Sequence, residues 1–155
     1  IYSSVEEIQR LKKNKVFVAH CPSSNTNLSS GIAPIRKYLD KKMNIGLGSD
    51  VGAGHNESMF SVIRDTIQMS KLYWRLVNKK YPSISFDEAF YLATLGGGKF
   101  FGSVGTFEEG FEFDAIVLDD SILEHPQELT LHERLERSVY LSLDEKSIIA
   151  IFVDG

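Results

Sequence analysis

Two short apolar runs constrain this chain more than any other feature, because each ends in a polar side chain and opens into a loop of small residues. The first is Val16-Phe17-Val18-Ala19-His20; the second is Asn44-Ile45-Gly46-Leu47-Gly48-Ser49-Asp50. Short apolar runs of this kind suit parallel strands covered on both faces. Helical patterns surround them. Ser4 with Glu7 offers a capping box for a helix carrying Ile8 and Leu11, with Lys12, Lys13 and Lys15 where the helix dipole favours cations. Cys21-Pro22 stops the first strand, and Ser23 to Gly31 reads as a polar loop. Pro34 suits the first turn of a helix through about Met43.

The spacing of Phe60, Ile63, Ile67, Met69, Leu72, Tyr73 and Leu76 predicts one long helix from Glu57 to Asn78. Ser85 and Glu88 form another capping box, and Gly96-Gly97-Gly98 weakens the helix that follows. From about Ser103 the pattern turns to β, with strands expected at Phe111 to Leu118, Val139 to Leu143 and Ile148 to Val153. Between them lies a charged stretch in which Thr130 and Glu133 can cap a short helix. The first hundred residues are thus a β/α series with two strands, too few to close a sheet. The first residue is Ile1, and the last residues form an apolar strand without a return partner, so both ends read as cut.

Composition removes several classes. Seventeen Lys and Arg against 21 Asp and Glu give a net charge of −4, which argues against nucleic acid and anionic membranes as partners. No apolar run approaches a membrane span. A single cysteine, Cys21, forms no internal disulfide and favours a reducing, cytoplasmic setting.

The sharpest chemical feature is Gly46-x-Gly48-Ser49-Asp50. It places a carboxylate where a parallel strand ends, the position at which α/β folds gather their active sites. Asp50 there can bind a hard or borderline metal or accept a proton; equally, it can cap the loop that follows. His20 ends the preceding strand, and is a ligand, a substrate donor or a packed histidine. Asn25 bonds its own loop or a polar substrate. His55, in the Gly-rich loop Val51 to Asn56, lies within reach of a substrate or is an ordinary exposed histidine. His125 and His132 are expected to face solvent. The zinc-protease His-Glu-x-x-His pattern fails at His132-Glu133, Gly96-Gly97-Gly98-Lys99 lacks the spacing of a phosphate loop, and Cys21 has no second cysteine for a cytidine-deaminase-type zinc site.

Several segments resemble the amidohydrolase superfamily, in its purine- and triazine-processing branch. They are His20-Cys21-Pro22-Ser23-Ser24-Asn25, Leu28-Ser29-Ser30-Gly31, Gly46-Leu47-Gly48-Ser49-Asp50-Val51, Leu92-Ala93-Thr94-Leu95-Gly96-Gly97, Gly105 to Ala115, and Phe152-Val153-Asp154-Gly155. The guanine-deaminating members of the branch are the most similar in these segments. The resemblance implies an α/β fold: the last two βα units of a (β/α)8 TIM barrel over residues 1–102, then the C-terminal part of a small β-sandwich over 103–155. A whole barrel of this kind needs ~250 residues.

The resemblance also implies a mechanism. One zinc, or sometimes iron, is held by two histidines after strand one, a histidine after strand five and an aspartate after strand eight. Asp50 matches that aspartate; the other ligands and a proton-shuttling glutamate have no counterpart here. His20 matches a position after strand seven, which implies a hydrogen-bonding role near the metal water or the substrate. Guanine is the implied substrate, xanthine and ammonia are the products, and a homodimer is the implied assembly. A deaminase or chlorohydrolase acting on an adenosine analogue or triazine is the nearest alternative. A non-catalytic ligand-binding module, with Asp50 as a loop cap, is the alternative of another class.

Overall fold

The computed structural model describes residues 1–141 and 144–155. The Ser4 capping box forms as expected and starts helix α1 (Val5–Lys13), which buries Ile8. Strand β1 (Phe17–His20) follows. After helices α2 (Pro22–Asn27) and α3 (Ile35–Asp40) comes strand β2 (Asn44–Leu47). The two strands pair in parallel, with Phe17 opposite Asn44 and His20 opposite Leu47. Side chains alternate across a strand. Val18, Ile45 and Leu47 therefore share one face, which packs into the core with Ile8, Ile35, Ile63, Ile67, Ile84 and Leu92. Phe17, Ala19, Gly46 and Gly48 belong to the other.

The segment read as a polar loop is instead α2. Pro22 occupies its first turn, and the Thr26 hydroxyl bonds back to the Pro22 carbonyl at 2.9 Å. Its serines are buried by tertiary contacts that composition does not announce. Helix α3 stops at Asp40, before Met43, because Lys42 takes a left-handed φ of 51°. The long helix covers its apolar pattern from Phe60 to Leu76, but not as one regular α-helix. Helix α4 (Met59–Leu72) begins at Ser58, whose hydroxyl accepts from the Ser61 N–H, and then widens into a π-helical turn over Tyr73–Val77. No described helix is long and apolar enough to cross a membrane.

Helix α5 (Phe86–Ala93) carries the second capping box. The glycines read as a helix breaker form α6 (Leu95–Gly98), which lies directly on β2. A Cβ on Gly46 would stand 2.7 Å from the Gly97 Cα, so this contact is backbone against backbone.

Strand β3 (Ala115–Leu118) occupies only the end of the predicted Phe111–Leu118 segment, and pairs antiparallel with β4 (Ile148–Phe152). The strand expected at Val139 is absent. Helix α7 (Leu131–Leu141) runs through Val139, and Ser142 and Leu143 lie outside the described residues. The Thr130–Glu133 capping box starts α7, and Leu131, Leu135 and Val139 recur at helical spacing, which overrides the β-forming character of Val139 and Tyr140. Val139 is fully buried in the main core, so α7 packs on α4. His132 is exposed, as expected, while its Nε2 lies 2.8 Å from Asp87 Oδ1 and its ring meets Phe86 edge-on. A short helix α8 (Asp144–Ser147) leads into β4.

Candidate active site

The C-terminal ends of β1 and β2 open on the same side, as parallel strands must. Asp50 stands just beyond β2 and is exposed. Its backbone takes a φ of 50°, a left-handed conformation that Asp tolerates better than most side chains. The turn that holds it there is local. The N–H groups of Ala53 and Gly54 donate to the Asp50 carbonyl at 3.1 and 2.6 Å. Gly54 is obligatory, because a Cβ there would sit 2.0 Å from the Ser49 carbonyl oxygen.

The carboxylate is fixed from another element. Ser24, buried in α2, donates its hydroxyl to Asp50 Oδ2 at 2.7 Å. Asp50 Oδ1 accepts no hydrogen bond from the described residues and is open to a ligand. Next to Ser24, Ser23 donates to Asp65 Oδ2 on α4 at 2.6 Å, and Asn27 at the end of α2 donates to the Ala53 carbonyl at 2.8 Å. One short helix thus ties α4, the Asp50 carboxylate and the Gly-rich loop together. The expected loop-capping bond from the Asp50 carboxylate to following N–H groups does not form; its carbonyl accepts those bonds instead.

His20 ends β1 but lies on the core-facing side, in register with Leu47. It is 5 % exposed, and its Nε2 has no hydrogen-bond partner among the described residues. Burial lowers its pKa from 6.5 to about 4, so the ring is neutral near pH 7. Cys21 lies on the other side, toward Gly48, whose added Cβ would be 3.1 Å from Sγ. Burial first, and the nearby Asp50 charge second, push its thiol pKa up, so Cys21 is a protonated thiol rather than a nucleophile. Asn25, on α2, is half-buried, and its carboxamide bonds none of the described residues. His55 is exposed in the loop after β2. Of the four residues singled out in the sequence, Asp50 and His55 are exposed in the loop after β2, Asn25 is half-buried on α2, and His20 is buried at the end of β1.

Among the described residues no three His, Cys, Asp or Glu side chains converge on a point. The described residues therefore offer no four-coordinate set for zinc. Sequence reading missed Ser24 as the partner of Asp50, 26 positions away. Its only signal was a buried-side serine following Pro22, which no local rule links to a distant carboxylate.

The amidohydrolase family model matches residues 1–155. The chain belongs to the amidohydrolase family. Guanine deaminase of Dictyostelium discoideum is 34% identical over 162 residues, covering 100% of this amidohydrolase chain and 36% of the relative. The crystal structure of guanine deaminase from C. acetobutylicum, with guanine bound in its active site, superposes with a TM-score of 0.94 at 52% identity; it covers 100% of this chain, which spans 36% of that one. An adenosine deaminase from Xanthomonas campestris with bound zinc shares the fold, with a TM-score of 0.77 at 24% identity over 99% of this chain and 34% of its own. The amidohydrolase chain therefore spans about a third of the length of the relatives it matches.

Proposed function

We propose that these residues belong to an enzyme that hydrolyses guanine to xanthine and ammonia. The observation that carries the reading is the similarity of the entire chain to a guanine-bound deaminase structure. The placement of Asp50 supports it: the carboxylate stands at a strand end, on a constrained turn, with one oxygen bonded and one free. In this reading residues 1–102 are the last two βα units of a (β/α)8 barrel and β3 with β4 belongs to a β-sandwich. Val139 of α7, from the second of these segments, packs in the same core as Ile45 and Ile63.

Asp50 Oδ1 would be one ligand of a zinc ion, or of iron, whose other ligands are not among these residues. Such an ion supplies an acidified water near neutral pH. Asp50 is also placed to accept a proton from the attacking water as the amino-bearing carbon is hydrated and its C–N bond breaks, releasing ammonia. Asn25, with an unused carboxamide, and His55, in the loop after β2, are available to the purine edge. His20, buried at the end of β1 with its Nε2 unpartnered among the described residues, is held as a neutral ring.

The test is Asp50→Asn in the complete polypeptide, with ammonia release from guanine, bound zinc and thermal stability measured together. The expected result is a loss of roughly 10²-fold or more in turnover, with reduced zinc and a preserved fold. Unchanged turnover and zinc would overturn the assignment of Asp50. Ammonia from adenosine and none from guanine would move the substrate to the adenosine-analogue branch.

A further inference from the structure

We propose that Ser24 is a positioning residue for Asp50, and that α2 is the strut through which it acts. The inference rests on the reading of Asp50 as a metal-binding and proton-accepting carboxylate.

A carboxylate on a loop ordinarily rotates between orientations, and ordering it at the moment of binding costs entropy that weakens a metal site. Asp50 is constrained twice. The backbone turn to Ala53 and Gly54 fixes where its Cα lies. The Ser24 hydroxyl then fixes the torsion of its side chain by occupying Oδ2 at 2.7 Å. Oδ1 is left as the oxygen presented outward. A hydroxyl suits this task because it donates one bond and brings no charge, whereas Lys or Arg would compete with a cation for the carboxylate.

Ser24 can act so only if it is itself immobile. It is 4 % exposed, on a helix whose adjacent residue Ser23 is anchored to Asp65 of α4. At the far end of the helix, Asn27 holds the Ala53 carbonyl. Helix α2 thus grips the loop after β2 at two points and α4 at a third. This geometry orients the carboxylate from outside the reacting groups, since Ser24 itself is covered. Partners of metal ligands in this position commonly change metal affinity or activity 10- to 100-fold when removed.

The experiment compares Ser24→Ala, Ser24→Thr and Ser23→Ala in the complete polypeptide. Zinc affinity is measured by chelator competition, ammonia release from guanine by steady-state kinetics, and stability by thermal unfolding. Ser24→Ala is expected to weaken zinc binding roughly 10-fold or more and to lower kcat more than it changes KM. Ser24→Thr, which keeps the hydroxyl, restores most of both. Ser23→Ala removes one anchor of α2 but keeps the Ser24–Asp50 bond, so it lowers stability and weakens zinc less than Ser24→Ala does. Should Ser24→Thr fail to fold, Ser24→Ala combined with Asp50→Asn decides instead: positioning predicts no further loss of zinc affinity beyond Asp50→Asn alone.

Equal loss of zinc in the Ser23 and Ser24 variants, or none in either, overturns the inference while leaving guanine deamination intact. A wild-type protein that binds zinc but ignores guanine overturns the functional reading, and the zinc affinity of Ser24→Ala then still decides the role of Ser24. A wild-type protein that binds no zinc overturns both.

Discussion

At the scale of single residues, burial decides what each titratable group can do. His20 illustrates this best. A histidine at a strand end is a ligand, a substrate donor or a packed ring, and the packed ring is the commonest of the three. The register opposite Leu47 sends it to the core face, where burial holds its pKa at about 4. The unfolded chain binds the proton near 6.5, so the folded state loses stability as pH falls between these two values, and below both the loss is complete and changes no further. At ~1.4 kcal/mol per pKa unit the total is on the order of 3 kcal/mol. Urea unfolding at pH 7 and pH 4.5 measures it, and His20→Gln should remove that portion of the acid sensitivity. An unchanged acid profile in the variant would assign the sensitivity to other groups. Asp50 was legible for a different reason: a carboxylate after two glycines at the end of an apolar run is a local pattern. Its hydrogen-bond partner was not, because Ser24 reaches it only when the chain folds.

At the scale of elements, capping chemistry was read correctly and lengths were not. The Ser4–Glu7, Ser85–Glu88 and Thr130–Glu133 pairs all start helices where their side chains and backbone N–H groups reciprocate. Capping is local, so three or four residues contain it. Where a helix ends, and whether a β-forming stretch such as Val139 to Leu141 is strand or helix, depends on what covers it. Val139 faces α4 and is fully buried, and that contact keeps the segment helical. The glycines of α6 show the same limit from the other side: read locally they weaken a helix, yet they let it rest on β2. Gly46→Ala would press a methyl group to 2.7 Å from the Gly97 backbone and 3.2 Å from the Phe17 ring. The strand and helix must separate, at a cost of about 1–3 kcal/mol. The urea midpoint should fall accordingly; a midpoint equal to wild type would mean that α6 is free to move away.

At the scale of the whole molecule, Asp50 stands just beyond β2 without the rest of a ligand set among the described residues. The 155-residue chain on its own is expected to hold no stoichiometric zinc and to release no ammonia from guanine, because one carboxylate does not satisfy a four-coordinate ion. Metal analysis after dialysis, with an ammonia assay, checks this; stoichiometric zinc in the isolated chain would require ligands that the described residues do not bring together. What the amino-acid order determined by itself was everything written within a few residues: the β/α alternation, the caps, the strand-end Asp50 and the motifs shared with amidohydrolases. What only the tertiary structure decided was which distant groups meet. Ser24 against Asp50, His132 against Asp87, α6 against β2 and α7 in the core all join residues far apart in sequence. Those contacts follow from burial and close packing, which act on the folded chain as a whole and leave no mark in any short window of it.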